Sequence, residues 1–179
     1  MGVRRVSRIS VVLVCMVLAP GTCCPPVRAS GSWQPDPATL AAAAAGPGVY
    51  DGAPPWDGGT HCSQGLSPAA TTLAATIRAR FGPLEIGGYS CRPNTASSSR
   101  TSIHGVGRAL DVMTATGDPI ANWLLTHSAE LGVQLVIWNR SLWRAGTAAV
   151  RPYGGPNPHT DHVHVEVRLR VLPHAVLVH

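Results

Sequence analysis

The segment HVHVEV, residues 162–167, alternates strictly between polar and apolar residues. A period of two is typical of a half-buried β-strand, because successive side chains of a strand point to opposite faces of its sheet. The alternation places His162 and His164 on one face, and it places Val163 and Val165 on the core side. Taken alone, such a histidine pair is typical of a solvated strand face.

A carboxylate in a second predicted strand changes that interpretation. The segment RALDVM, residues 108–113, predicts a short strand with Asp111 on the face opposite Leu110 and Val112. An unpaired carboxylate is costly to bury, so Asp111 needs a cation, a hydrogen-bond donor or a metal ion. His104 lies seven residues earlier, and two intervening glycines allow the chain to turn back over the strand.

Two imidazoles and one carboxylate drawn from these residues make a three-ligand set suited to Zn²⁺. Three protein ligands leave the fourth position for water, and an open position indicates catalysis more than scaffolding. Bound zinc would lower the pKa of that water and polarise a carbonyl group. The sequence therefore predicts one zinc ion per chain.

The chain resembles the zinc D-alanyl-D-alanine carboxypeptidase family in a two-part motif, Ser102-x-His104-x-x-Gly107-x-Ala109-x-Asp111 followed by Asp161-His162-x-His164. That family shares its fold with the lysostaphin-type peptidases and the hedgehog signalling domain. The closer likeness is to secreted actinobacterial cell-wall peptidase-like domains, in the stretches CSQGLSP, IGGYSCRPNTA, GDPIANWLL and GVQLVIWN. The resemblance covers about residues 62–167 and implies a hedgehog/D-Ala-D-Ala carboxypeptidase-like fold.

The resemblance also implies roles for the motif residues. It implies that His104, Asp111 and His164 bind zinc. It implies that Asp161 is the general base, and that His162 stabilises the oxyanion or orients the base. In a regular strand Asp161 and His164 would face opposite ways, so Asp161 reaches the metal only if regular pairing begins at His162 or a bulge intervenes. His162 is the alternative base.

Residues outside the motif are candidates for binding the substrate. Arg92 resembles the family arginine that meets a substrate carboxylate or polarised carbonyl, and a guanidinium suits a planar anion. Ser102 is expected either to bond the substrate or to cap its loop. Trp138 and Tyr153 are candidate walls of the cleft, although aromatic residues at strand ends often simply pack. His159 is a candidate for a group that supports the ligands from behind.

Hydrophobic periodicity outlines the elements of the domain. A helix is predicted over 67–82, with Ser67 as N-cap, Pro68 at the first helical position and Gly82 as the stop. A second helix is predicted from Asp118 to Gly132. Strands are predicted at 84–91, 108–113, 133–138 and 162–167, with a long loop before the last. This order predicts a small α+β domain whose mostly antiparallel sheet is flanked by helices.

The N-terminal residues 1–29 carry the pattern of a secretory signal, with arginines ahead of an apolar run from Ile9 to Ala19. That run is well short of the roughly 20 apolar residues that span a bilayer, so no membrane span is predicted after signal removal. Cys23 and Cys24 leave a lipoprotein signal as a lesser alternative. The protein is therefore expected outside the cell, and the resemblance implies an association with the cell wall.

Two of the five cysteines, Cys62 and Cys91, lie outside the signal region. An oxidising compartment favours a single disulfide between them, whereas two cysteines at this separation do not make a zinc site. Residues 30–61 are rich in Ala, Gly and Pro and predict a linker, within which the alanine run could form one or two helical turns. The zinc peptidase-like domain is then expected over 62–179.

The charge of the chain does not indicate a nucleic-acid partner. The formal net charge is +5 and the pI is about 9.3. Removal of residues 1–29 leaves ten arginines against nine acidic residues, so the mature chain is close to neutral. We therefore expect no nucleic acid among the partners.

Together with the resemblance, these features predict a secreted zinc peptidase that hydrolyses peptide bonds of D,D or L,D type in peptidoglycan stem peptides or cross-links. A monomer is the default expectation. The alternative is a wall-binding module of the same fold in which zinc is structural, because a fold does not fix a function. An iron oxygenase that uses His159 and Asp161 would need a further histidine well downstream, and only His174 and His179 in the tail lie far enough along the sequence.

Overall fold

The structure is a computed structural model, and it describes residues 31–46 and 59–168. The predicted signal at 1–29, the centre of the predicted linker at 47–58 and the apolar tail at 169–179 lie outside the described residues. None of the helices in the described ranges is both long enough and apolar enough to cross a membrane.

Six antiparallel strands of the described residues form one sheet. They are β1 Ile86–Gly87, β2 Ala109–Met113, β3 Val133–Trp138, β4 Ser141–Arg144, β5 Arg151–Pro152 and β6 His162–Val167. Their order across the sheet is β1-β2-β6-β3-β4-β5, so β2 and β3 both pair with the last strand of the chain. The predicted α+β domain with an antiparallel sheet is confirmed.

The helices of the described chain are α1 Pro37–Ala45, α2 Pro68–Phe81, α3 Asp118–Thr126, α4 Ser128–Leu131 and a 3₁₀ helix, Ile103–Val106. Helix α2 begins after Ser67, whose side chain accepts a hydrogen bond from the Ala70 amide, and it ends at Gly82, where φ is 94°. The helix predicted from Asp118 to Gly132 is interrupted at His127, whose φ of −103° and ψ of 16° end α3 before α4 starts.

The sheet has two different faces, as the alternation in β6 predicts. Val163 and Val165 lie on the face that packs against the helices, within a large core cluster. On the other face, the strand register aligns Asp111 with His164 and His164 with Ile137. Helices α1, α2 and α3 therefore cover one face, and the candidate site lies on the other.

The predicted loop between residues 138 and 162 contains β4 and β5. Strands of four and two residues are too short to show a periodic pattern, so hydrophobic periodicity does not predict them. The strand predicted at 84–91 is shorter than expected, since only Ile86–Gly87 pairs with β2. Two adjacent glycines supply no side chain to extend that edge of the sheet.

Part of the predicted linker belongs to the domain. The Trp33 ring is buried, and its Nε1 donates a hydrogen bond to Asn122 Oδ1 at 2.9 Å. Asp36 caps α1 by accepting from the Thr39 amide at 2.9 Å, and α1 packs against α3 with Ala43 buried. Residues 33–45 therefore pack against the domain through Trp33 and one side of α1.

Candidate metal centre

A tight turn carries His104 over the sheet. His104 lies in the 3₁₀ helix, and Ser102 caps that helix because its Oγ accepts from the His104 amide at 3.3 Å. The helix ends at Gly107, which has a left-handed φ of 70°. A Cβ atom at Gly107 would lie 2.0 Å from the carbonyl oxygen of Gly65, so no side chain fits there. The glycine turn predicted between His104 and Asp111 is confirmed.

Three side chains converge on the open face of the sheet. One ligand atom each from His104, Asp111 and His164 lies within 4.8 Å of the other two. Asp111 Oδ2 is 3.3 Å from His104 Nε2, and Asp111 Oδ1 is 2.9 Å from His164 Nδ1. Ligands of a tetrahedral zinc ion with bonds of about 2.0–2.1 Å stand roughly 3.3 Å apart. The donor types and their spacing therefore fit a metal ion.

The hydrogen bonding of His104 favours a cation between it and Asp111. His104 Nδ1 is 2.7 Å from the carbonyl oxygen of Gly88, which can only accept, so Nδ1 carries a hydrogen. In the neutral ring Nε2 then presents a lone pair to the Asp111 carboxylate. Two acceptors at 3.3 Å repel each other unless a proton or a metal ion lies between them.

His164 lies between two carboxylates. Its Nδ1 faces Asp111, and its Nε2 is 3.4 Å from Oε1 of the buried Glu166. Burial by itself would lower the pKa of His164, but the hydrogen bonds to Asp111 and Glu166 outweigh it and raise the pKa to about 9. Burial would raise the pKa of Asp111, but the hydrogen bonds from His104 and His164 hold it well below its usual range. A carboxylate behind a histidine ligand is the usual support in metal sites.

Asp161 does not line the cavity. Strand β6 begins at His162, as a metal-facing Asp161 requires, yet the Asp161 side chain is 72 % exposed and contacts His162. The His162 Nδ1–H donates to Asp161 Oδ1 at 2.7 Å, and this bond lowers the pKa of Asp161. His162 Nε2 is 3.6 Å from Asp111 Oδ1. The geometry joins Asp161 to the site through His162 and not directly.

His159, a candidate for supporting the ligands from behind, is a buried member of the site. Its ring centroid is 4.8 Å from that of His162 and 5.3 Å from that of His164. Its Nδ1 donates to the Asn157 carbonyl at 2.6 Å, and burial lowers its pKa to about 4. Its φ of 52° aims a loop residue at the sheet, and no sequence pattern signals that geometry.

The centre forms the floor of an open cavity of about 440 Å³. Arg92, Ser102 and Tyr153, which are candidates for substrate contact, line it. Ser102 also caps the 3₁₀ helix, so the two roles considered for it are compatible. Trp138 does not line the cavity. Its ring is buried in the core on the other face of the sheet, and its Nε1 donates to Asp118 Oδ1 at 2.6 Å.

The predicted disulfide between Cys62 and Cys91 is present. It joins the two segments that hold the 3₁₀ helix. On one side the Ser63 amide donates to the Gly105 carbonyl at 2.8 Å, and on the other the Ser90 amide donates to the His104 carbonyl at 3.3 Å. The crosslink therefore supports the backbone that positions His104.

A protein-family model described as VldE, C-terminal domain, matches residues 62–164. The match covers more than half of the 179 residues. The chain belongs to the VldE C-terminal domain family. No curated protein and no solved structure matches the chain.

The segment shared with the VldE C-terminal domain family begins at Cys62 and ends at His164. It contains the disulfide and the three candidate metal ligands His104, Asp111 and His164, which we call the triad, whereas α1 and Glu166 lie outside it. The family's description names no activity, so the resemblance to the zinc carboxypeptidases stays a prediction.

Proposed function

We propose that the protein is a secreted zinc peptidase that hydrolyses peptide bonds in peptidoglycan stem peptides or cross-links. The observation that carries the proposal is the convergence of two imidazoles and one carboxylate within 4.8 Å at the floor of an open cavity. Three protein ligands beside open space are typical of catalytic zinc sites, whereas structural sites have four protein ligands. The disulfide is consistent with an extracellular protein.

His104, Asp111 and His164 would hold the metal ion through Nε2, a carboxylate oxygen and Nδ1. A zinc ion there supplies a Lewis acid for a peptide carbonyl and lowers the pKa of a water molecule. Gly88 and Glu166 fix the two imidazoles from behind, so both rings are oriented before any metal binds. This preorganisation supports a site built for a metal ion.

In the proposed hydrolysis, His162 carries out the proton transfers. Asp161 accepts the Nδ1–H of His162, which leaves Nε2 as the proton acceptor on the cavity side. Asp161 then acts as a positioning residue, and His162 is the catalytic residue that takes a proton from water and returns it to the leaving amine. Burial lowers the pKa of His159 to about 4, so a neutral ring packs against His162.

A relation to the hedgehog/D-Ala-D-Ala carboxypeptidase fold is part of this proposal. Its support is the two-part motif together with the register of the strands that carry it. Asp111 on β2 and His164 on β6 are directly paired across neighbouring antiparallel strands. The 3₁₀ helix before β2 supplies the remaining ligand, His104.

The first experiment is elemental analysis of the full chain for zinc, together with a His104→Ala variant. We expect one zinc per chain in the wild type and loss of stable zinc binding in the variant. The matched control is His61→Ala, because His61 is exposed and bonds the neighbouring Thr60. Hydrolysis of peptidoglycan fragments, followed by mass spectrometry, should fall at least about a hundredfold in His104→Ala and stay unchanged in the control.

The result of this experiment separates the candidate functions. A folded wild type that takes up no zinc, even when metal is added, would contradict the peptidase proposal. Zinc uptake without hydrolysis of any fragment, but with retention on insoluble peptidoglycan, would instead support the wall-binding module of the same fold.

A further inference from the structure

The open face of the sheet carries an ordered row of side chains that runs away from the triad. The strand register pairs Asp111 with His164, His164 with Ile137, Ile137 with Leu142, and Leu142 with Arg151. Directly paired residues project to the same face of a sheet. All five line the cavity, so they form one strip across five strands.

The strip changes in chemistry along its length. It begins at the two ligands, continues over the apolar side chains of Ile137 and Leu142, and ends at a guanidinium. Tyr153 packs against the apolar part, which belongs to a small cluster separate from the main core. This apolar floor is open to the cavity, because Ile137 and Leu142 are lining residues. A substrate segment of apolar character fits beside the metal.

A neighbouring row brings a second arginine to the same end. Glu166 pairs with Leu135, and Leu135 pairs with Arg144, which also lines the cavity. Arg144 and Arg151 thus converge on the β4–β5 edge from adjacent rows. The acidic residues among the described lining residues are Asp111 and Glu166, and both contact the histidine ligands. The lining at β4 and β5 therefore supplies two guanidinium groups, whereas the lining carboxylates lie beside the histidine ligands.

We propose that Arg144 and Arg151 form a subsite for a carboxylate of the substrate, separated from the scissile bond by a short apolar segment. Strands lie about 4.8 Å apart, so Arg144 is about 10 Å and Arg151 about 14 Å across the sheet from β6. An extended peptide advances about 3.3 Å per residue, and an arginine side chain reaches back toward the triad. The carboxylate then lies about two to four residues from the bond that is cleaved.

This inference rests on the proposed peptidase function, since it deepens the substrate class of the same site. A carboxylate two to four residues away can be the C-terminus of the peptide or an acidic side chain within it. Both offer the planar anion that a guanidinium binds with two parallel hydrogen bonds. The substrates of the test must therefore differ at each carboxylate separately.

The test uses the zinc-loaded full chain and three forms of the peptidoglycan stem pentapeptide. One form has both carboxylates free, one is amidated at the C-terminus, and one is amidated at its acidic side chain. We expect one amidation to lower kcat/KM about tenfold or more in the wild type, and this identifies which carboxylate binds. In the double variant Arg144→Gln/Arg151→Gln, the kcat/KM for the free peptide divided by the kcat/KM for the amidated peptide should fall to near one.

The matched control is Arg80→Gln, because Arg80 lies on α2 and does not line the cavity. It should keep the wild-type ratio, and all variants should keep one zinc per chain. Cleavage by the wild type with no preference for a free carboxylate would overturn the subsite and leave the peptidase function standing.

If no peptide is cleaved, calorimetric titration of the protein with the same peptides tests whether the subsite binds a carboxylate. Binding that needs a carboxylate and is lost in the double variant would support the subsite while the peptidase function fails. Neither cleavage nor binding would overturn both.

Discussion

At the scale of single residues, His164 is where a proton and a metal ion compete. In the metal-free protein its pKa is raised to about 9 by Asp111 and Glu166, so at pH 7 it carries a proton that a metal ion must expel. The pKa of Asp111 is lowered, so this carboxylate is already ionised and releases none. Metal binding below pH 9 therefore costs the removal of one proton from His164.

We predict that zinc binding at pH 7 releases about one proton from His164, and that the zinc affinity rises about tenfold per pH unit between roughly pH 6.5 and 8.5. The sign follows from the raised pKa, because the competing proton is held less as the pH approaches about 9. Calorimetry in two buffers of different ionisation enthalpy measures the released protons. A zinc affinity that does not change with pH over this range would contradict the assignment of His164 as a ligand.

Some residues of the site can be predicted from the sequence and others cannot. A carboxylate within an apolar strand indicates Asp111 as a functional residue, and the position of His164 on the same strand face as His162 indicates His164. The place of His159 in the site cannot be predicted from the sequence, since it depends on a positive φ in a loop and on the fold of a distant segment. The orientation of Asp161 toward His162 is likewise a matter of one side-chain rotamer at the start of β6.

At the scale of elements, strong periodicity or caps made α2, β2, β3 and β6 predictable. The edge strands β1 and β5 have two residues each, so their pairing is decided by the neighbouring strands and not by local pattern. The sequence predicts only one or two helical turns where the nine-residue helix α1 forms, and the reason is related. An alanine run has no amphipathic stripe, and its packing against α3 depends on tertiary contacts.

The element that the disulfide supports is the 3₁₀ helix with His104. Replacement of both Cys62 and Cys91 by alanine should lower the free energy of unfolding by about 3 kcal/mol, because the bond closes a loop with a sequence separation of 29. It should also weaken zinc binding about tenfold or more, since His104 loses the support of the backbone on both sides.

Urea unfolding and competition with a zinc-binding dye measure the two effects of the cysteine replacement. Reduction of the wild-type protein without denaturant should produce the same changes, and it serves as the control for the substitutions themselves. Zinc affinity that stays at the wild-type value in the folded double variant would show that the disulfide does not position His104.

At the scale of the whole molecule, the sheet separates stability from function. Helices α1, α2 and α3 contribute buried residues to the core on one face, while the triad, the apolar floor and the arginines lie on the other. Trp33 belongs to the first face, at the far side of the sheet from the metal centre. Changes there should alter the stability of the protein without altering its metal ligands.

We predict that Trp33→Ala lowers the free energy of unfolding by about 3–5 kcal/mol, because it removes a fully buried ring from the core. Trp33→Phe keeps most of the apolar ring and loses the Nε1 hydrogen bond to Asn122, so it should cost less, about 1–2 kcal/mol. Urea unfolding measures both variants, and each should still bind one zinc per chain when folded. Zinc binding should be retained because Trp33 packs on the helical face and the metal ligands lie on the other face of the sheet. A Trp33→Ala variant as stable as the wild type would contradict the packing of residues 33–45 on the domain.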